Sequence, residues 1–320
     1  MTPSEPRRWR RWLGQRPLRT CLRVVAALLG AGLTGWLLST LWPEPDRVAR
    51  GAPPDLSDPS SLALFPDEAV TVLLIGVDAD NLSDPTNKAA PAGRANADAL
   101  LLVRIKAGQA LQVLQLPTEL AVQLPGSDIT MGLGGIWRSG GAALTADVVG
   151  EVLDLPEGLP DRYVVLPRTT LRDVVDGLGE VDVILNQSYK RTDKSMGYGV
   201  DLQAGRQSLN GAQAEQLVRY KKDSTDDSNR RQRQKVLMQA VLDQLQTPGG
   251  IVLIPGLLDT VREQVDTNLS RGEMLSLAAA VLASPTPPNF TQLPLEPRAG
   301  KQILRQLKND LKLPLWPPAP

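Results

Sequence analysis

Histidine is absent from the 320-residue chain. That gap removes a Ser-His-Asp triad, a Cys-His pair and any His-ligated zinc site. Cysteine is almost as scarce. Cys21 stands alone, so no intrachain disulfide and no Cys-clustered metal site can form. Any metal must be held by oxygen, which points to Mg²⁺, Ca²⁺ or Mn²⁺. Acid–base chemistry falls to Asp, Glu, Lys, Arg or Tyr. Net charge is missing as well, since 35 Lys and Arg balance 35 Asp and Glu. A zero average argues against a general nucleic-acid binder, although charge can still be segregated. Apolar residues, at 42%, suffice for a packed core, and 27 Gly with 27 Pro announce many turns.

The charge is indeed segregated. Residues 1–23 hold Arg7, Arg8, Arg10, Arg11, Arg16, Arg19 and Arg23 against Glu5, which leaves 28 basic and 34 acidic groups, a net of −6, on the rest. Val24 to Leu41 then runs for 18 residues without a charge, and Trp42 follows. At about 1.5 Å per residue the run is just long enough to span a bilayer. Trp36 and Trp42 lie on its outer half, where an indole suits the interface. The positive-inside rule predicts a basic cytoplasmic tail at 1–23, a single-pass signal anchor at 24–42 in the cell membrane and an extracytoplasmic main domain. A cleaved signal peptide is the competing reading, but its apolar region should be only about 7–15 residues. No small-x-small cleavage site follows either, since Trp42-Pro-Glu-Pro45 comes next. Residues 43–67, rich in Pro, Asp, Ser and Gly, read as a flexible linker.

The pattern changes at Ala69. Val70 to Val77, Ala99 to Ile105, Leu111 to Leu116 and Val181 to Leu185 are short apolar runs of the buried-strand kind. Helical spacing occupies roughly 141–154, 168–177, 211–220, 228–247 and 270–283. Strands interleaved with helices predict an α/β domain over 68–284, a central mixed sheet covered by helices on both faces. Residues 285–320 read as a Pro-rich tail with one short helix expected over 299–312.

Two acids stand at strand ends. Asp78 follows the first strand in Gly76-Val-Asp78, and Asp98 precedes the second. Acids so placed can converge over one rim of a sheet, where open α/β folds bind ligands, and two of them suit Mg²⁺. Equally, each could simply end a strand or cap a turn. The strongest constellation is Arg219-Tyr-Lys221 followed by Asp227-Ser-Asn-Arg230-Arg231-Gln-Arg233-Gln234. On a helix, Arg230 and Gln234 share a face. Asp227 is suited to N-cap that helix, whose free N–H groups would favour an anion. Arg219, Lys221 and Arg230 could then clamp phosphate or pyrophosphate. A solvated charged helix face competes with this reading. Nucleic-acid backbone binding is a third, and needs a broader basic surface than a region of net charge −6 offers.

These motifs, in this order and behind a signal anchor, resemble the LytR-CpsA-Psr family of membrane-anchored phosphotransferases from about Val70 to Leu282. Gly76-Val-Asp78, Ala97-Asp98-Ala99, Asp176-Gly-Leu-Gly-Glu-Val181, Leu202 to Ala214, Asp227-x-x-Arg230-x-x-Arg233-Gln234 and Asp266-Thr-Asn-Leu-Ser270 carry the likeness. The resemblance implies transfer of a glycopolymer from a polyprenyl-pyrophosphate carrier to peptidoglycan or another envelope glycan, through a phosphodiester link. It implies a lipid tail between sheet and helices, Mg²⁺ on Asp78 and Asp98, and a catalytic set of Asp98, Arg219 and Arg230. Arg94, Lys221, Arg233 and Gln234 would bind the pyrophosphate. The chain departs from the family's pattern at four places. Pro117-Thr118-Glu119 stands for Pro-Arg-Asp, Gly132-Leu133-Gly134 for Lys-Ile-Asn, Lys221 for the second Arg of Arg-x-Arg, and Ala99 for Thr. Two cations are gone and one has lost its fork. The sequence therefore carries two readings, a Mg²⁺-dependent transferase and a non-catalytic lipid-phosphate-binding or scaffolding module. Neither involves nucleic acid.

Overall fold

The computed structural model describes residues 58–85, 94–124, 126–193, 198–223, 225–300 and 302–309, with 311 and 316. The basic tail, the expected anchor at 24–42 and the linker up to residue 57 lie outside them. Among the described residues no helix is long and apolar enough to cross a membrane.

In chain order the elements are β1 (Val70–Val77), β2 (Ala97–Ile105), β3 (Gln112–Leu116), β4 (Ala121–Gln123), β5 (Thr130–Gly132), α1 (Leu133–Leu153), β6 (Arg162–Leu166), α2 (Arg168–Gly177), β7 (Val181–Leu185), β8 (Tyr189–Asp193), β9 (Tyr198–Leu202) and β10 (Gly205–Leu209). There follow α3 (Gly211–Arg219), α4 (Asp227–Leu245), α5 (Pro248–Arg262), β11 (Asp266–Thr267), α6 (Arg271–Leu282) and β12 (Asn289–Gln292). The central sheet is six-stranded in the order β11-β6-β1-β2-β3-β12. It is mixed: β1 pairs antiparallel with β2 and parallel with β6, and β3 pairs parallel with β12. Helices cover both faces. Leu73, Ile75 and Leu102 pack with Ile136, Trp137 and Val149 of α1 on one side. On the other, Val72, Val103 and Val113 pack with Met274 and Leu277 of α6 and Met238 of α4. The α/β expectation holds, and it is this mixed sheet that positions the site.

Several expectations change. The strand expected in the sheet at Val181–Leu185 instead pairs with β10 in a separate two-stranded ribbon. The helix expected over 141–154 begins at Leu133 and breaks at Gly141, whose φ of 73° only glycine adopts easily. Glycines at 134, 135, 140 and 141 hid its first turns. α5 was not expected, because Pro248, Gly249, Gly250, Pro255 and Gly256 read as a breaker cluster. Pro248 in fact sits in the first turn behind the Thr247 cap, where a proline costs nothing. The linker expected to reach residue 67 ends earlier, since Leu62 is only 7% exposed and packs with Ile251 and Ile254. The tail expected from 285 supplies a strand, β12, to the sheet. Residues 302–309 form no helix; they lie along the β3–β4 connection, with Arg305 N donating to Glu119 O at 2.9 Å and Ala121 N to Arg305 O at 2.8 Å.

Candidate active site

Four chain segments meet at one rim of the sheet. β1 and β6 run parallel and end there, and β2 starts where β3 ends, since Leu100 faces Leu116. Asp78 follows β1. Asp98 lies inside β2 rather than before it. Gly76 pairs with Ala99 and Val77 with Ala97, so Asp98 is the extra residue of a bulge. A bulge frees its residue from the pleat and re-aims the side chain. A Cβ on Gly76 would lie 3.1 Å from that of Ala99, so glycine lets the two strands close up here.

Helices bring the cations. Arg219, the last residue of α3, sends Nε to Asp78 Oδ1 at 3.0 Å and NH1 to Glu215 Oε1 at 2.9 Å. Its guanidinium stacks 4.0 Å from the centre of the Tyr198 ring. Arg230, in the first turn of α4, reaches Asp98 Oδ2 at 3.1 Å and Asp227 Oδ1 at 3.4 Å, and its side chain is 7% exposed. Lys221 Nζ holds Asp227 Oδ1 at 2.7 Å. Asp227 thus does not cap α4 as expected. It is the first helical residue, and the capping position falls to Asp226, whose side chain makes no capping bond.

Three connected spaces surround these groups. An apolar chamber of about 260 Å³ lies between sheet and helices, walled by Leu74, Leu101, Val174, Leu237, Met238 and Val241 among others. It shares Gly76, Ala99, Leu166, Leu171, Val218 and Gln234 with a second chamber of about 190 Å³, which adds Asp78, Asp98, Arg168 and Arg219. Asp98 also opens onto a groove of about 850 Å³ that holds Thr118, Arg138, Lys221, Asp227 and Arg230. Burial and the neighbouring Asp98 carboxylate raise Asp78 from its ordinary 3.8 to about 6, against the pull of Arg219 and Arg168. Burial likewise raises the Tyr198 phenol.

Of the residues named from sequence, Asp78, Asp98, Arg219 and Gln234 share one chamber, while Arg230 and Lys221 join Asp98 in the groove. Two fall elsewhere. Arg233 turns away and lies against the edge-on pair of Tyr189 and Tyr220 rings, 5.3 and 5.1 Å from their centres, where it bonds Tyr220 O and Asp226 Oδ2. Arg94 lies exposed, 4.9 Å from the centre of the Trp137 ring, and lines neither chamber nor groove.

The profile of the LytR_cpsA_psr family matches residues 47–308. The chain belongs to the LytR-CpsA-Psr family. Among its curated relatives is the polyisoprenyl-teichoic acid–peptidoglycan teichoic acid transferase TagT of Bacillus subtilis, 27% identical over 77% of this chain and 76% of TagT. The TagU transferase of Halalkalibacterium halodurans is 26% identical over 79% of each. B. subtilis TagV is 26% identical, but the match spans about half of TagV, 48%. The solved structure of TagV superposes with a TM-score of 0.62 at 20% identity, covering 76% of this chain and 92% of that one. TagT bound to LI-WTA gives 0.57 at 26% identity, covering 82% and 92%.

Against the LytR-CpsA-Psr pattern the departures acquire places. Thr118 lies in the groove, 3.5 Å from Arg230 NH2. Gly132 is backed onto Thr118, where a Cβ would stand 2.8 Å from its carbonyl oxygen, so the local packing excludes a lysine there. Sequence reasoning missed four residues that bind the site together. Asp78, Asp80 and Glu215 alternate with Arg168, Arg172 and Arg219 in a closed ring of ion pairs. The one available signal was Arg168 two residues after the end of Tyr163-Val-Val-Leu166, a strand too short to stand out by its pattern.

Proposed function

We propose that this chain transfers a phosphate-linked glycopolymer from a polyprenyl-pyrophosphate carrier to a hydroxyl of peptidoglycan or another envelope glycan, on the outer side of the cytoplasmic membrane. The observation that carries this is the apolar chamber opening directly onto Asp78, Asp98, Arg219 and Gln234. The first suits the leading isoprene units of a polyprenyl chain, and the second its pyrophosphate. The transferase names of TagT and TagU support the reaction class. The charge-free run at 24–41 behind seven arginines supports the outer face.

Arg219, Lys221 and Arg230 would neutralise the pyrophosphate, and the Gln234 amide would orient one of its oxygens. Phosphoryl transfer needs little more than such positioning and charge stabilisation. The acceptor hydroxyl approaches from the groove. Its oxygen bonds the phosphorus next to the glycan, the bond from that phosphorus to the bridging oxygen breaks, and polyprenyl phosphate leaves. Asp98, which faces both spaces, takes the hydroxyl proton. Asp78 and Asp98 also fit a hard cation: both are oxygen donors and their charges repel, with Arg219 Nε and Arg168 NH1 ion-paired to Asp78 Oδ1 at 3.0 and 3.4 Å. They would hold Mg²⁺ with substrate phosphates and water as its other ligands, and its chemistry there is further neutralisation of phosphate charge.

A non-catalytic module remains the second reading. It is favoured by the full pairing of Arg219, Lys221 and Arg230 with acids, and by the absence of a cation at Thr118 and Gly132. Turnover of a polyprenyl-pyrophosphate-linked saccharide with Mg²⁺ separates the two. The full chain should exceed its Asp98→Ala variant; equal background rates, with the lipid still bound, would leave only the module.

A further inference from the structure

We propose that Arg168 is a further phosphate-binding residue of this chamber, supplying a guanidinium that neither the sequence motifs nor the comparisons assign. The proposal rests on the pyrophosphate reading above. Arg168 follows β6 at the rim and lines the same chamber as Asp78, Asp98, Arg219 and Gln234.

Three observations carry it. First, Arg168 is the loosest member of its ion-pair ring. Its guanidinium lies 3.4 Å from Asp78, 3.5 Å from Asp80 and 3.7 Å from Glu215. Charge-assisted hydrogen bonds run to about 2.7–2.9 Å. The same acids hold Arg172 at 2.8 and 2.8 Å and Arg219 at 3.0 and 2.9 Å. Second, the group is largely dry. The side chain is 15% exposed, and Nε is buried with no partner. A guanidinium surrounded by acids yet bonded closely by none has its fork free for a better-matched anion, and phosphate matches it in two prongs. Third, Arg168 is the first residue of α2. The positive end of a helix dipole disfavours a cation and favours an anion. A phosphate at this corner would relieve the first and satisfy the second.

The ligand chemistry is therefore a diphosphate on an apolar chain, with Arg168 and Arg219 holding its oxygens from the starts and ends of neighbouring helices. Arg168 also restores one of the two cations missing at Thr118 and Gly132, from a different element. It acts by binding, and makes or breaks no bond.

Calorimetric titration of the full-length chain in detergent, with farnesyl pyrophosphate and farnesol as probes, tests the assignment. Arg168→Ala should weaken farnesyl pyrophosphate by roughly ten- to a hundredfold and leave farnesol within about twofold. Arg172→Ala, which removes a ring member that does not line the chamber, should leave the ratio of the two affinities unchanged. An unaltered pyrophosphate affinity in Arg168→Ala overturns the assignment, and so does an equal loss of farnesol, which marks a collapsed chamber. Should the alanine variant not fold, Arg168→Lys keeps the charge and loses the fork. A selective loss of farnesyl pyrophosphate there supports the proposal, and none overturns it. Arg219→Ala separates the two failures. If it too binds farnesyl pyrophosphate normally, the pyrophosphate reading of the chamber falls. If it alone weakens, only the Arg168 assignment does.

Discussion

Arg230 and Arg233 stand three residues apart on α4, yet one faces Asp98 across the groove and the other is buried against two tyrosines. Their substitutions should therefore differ in kind. Arg230→Ala removes a charge-assisted contact and should weaken a polyprenyl pyrophosphate by about 1.5–3 kcal/mol, with little change in melting temperature. Arg233→Ala removes the cation beside the buried Asp226 carboxylate, which keeps its bonds from Lys222 N and Asn229 Nδ2, and should cost about 1.5–3 kcal/mol of stability while sparing affinity in the chains that fold. Thermal melts beside titrations check both, and the reverse pattern would contradict the placement. The shared motif spacing could not separate them, because what claims Arg233 is Tyr189, a residue 44 positions away in another element. Asp78 makes a pH-dependent prediction. Its pKa is raised on folding, from 3.8 to about 6, by burial first and then by Asp98, with Glu215 adding and Arg219 and Arg168 opposing. The folded chain thus holds this proton more tightly than the unfolded one. The resulting stability is present below about pH 4 and is lost as the pH rises to about 6. Mg²⁺ needs the carboxylate bare, so it should raise the melting temperature above about pH 6 and do little near pH 5. Asp78→Asn should remove that difference; an equal Mg²⁺ effect at both pH values would count against Asp78 as a ligand.

At the scale of elements, the apolar chamber is a seam between the sheet and the helices α2, α3 and α4. Val218 of α3 lines both the apolar chamber and the one that holds Asp78 and Arg219. Val218→Trp should fill the seam, so that farnesyl pyrophosphate binding falls at least about tenfold while inorganic pyrophosphate still binds. Loss of both would mean that the two chambers are not separate in function. α2 and α3 were legible because each shows an apolar stripe, α4 because it is a long run of helix-forming residues, and α6 because Ser270 caps its start; α2, α3 and α4 bear on the site. α5 was hidden by its prolines and glycines, and the first half of α1 by four glycines. The sheet was half legible. β1, β2 and β3 read as apolar runs, whereas β6, β11 and β12 are short and partly polar. Missing β6 meant missing Arg168, since nothing then marked it as a strand-end residue. The bulge that aims Asp98 is a pairing property of β1 with β2, and no single strand's sequence displays it.

For the whole molecule, the order of motifs carried more information than any one of them, and the family followed from that order. Residue-level roles did not, because Arg233 matches the pattern, Arg94 precedes Asp98 at a longer spacing than the pattern has, and both lie off the site. The anchor expected at 24–42 predicts an outward-facing domain, and a reporter fused after Pro320 should be active only outside the cytoplasm; cytoplasmic activity would contradict the envelope reading. The central claim is that the chain cuts a pyrophosphate and keeps one phosphate on the glycan. Phosphorus NMR of the products made by the full chain with Mg²⁺, a polyprenyl-pyrophosphate-linked saccharide and a peptidoglycan fragment addresses it directly. The account predicts polyprenyl monophosphate and a new phosphodiester in equal amounts, both absent with Asp98→Ala. Release of intact polyprenyl pyrophosphate, the mark of sugar transfer without phosphate, would contradict it.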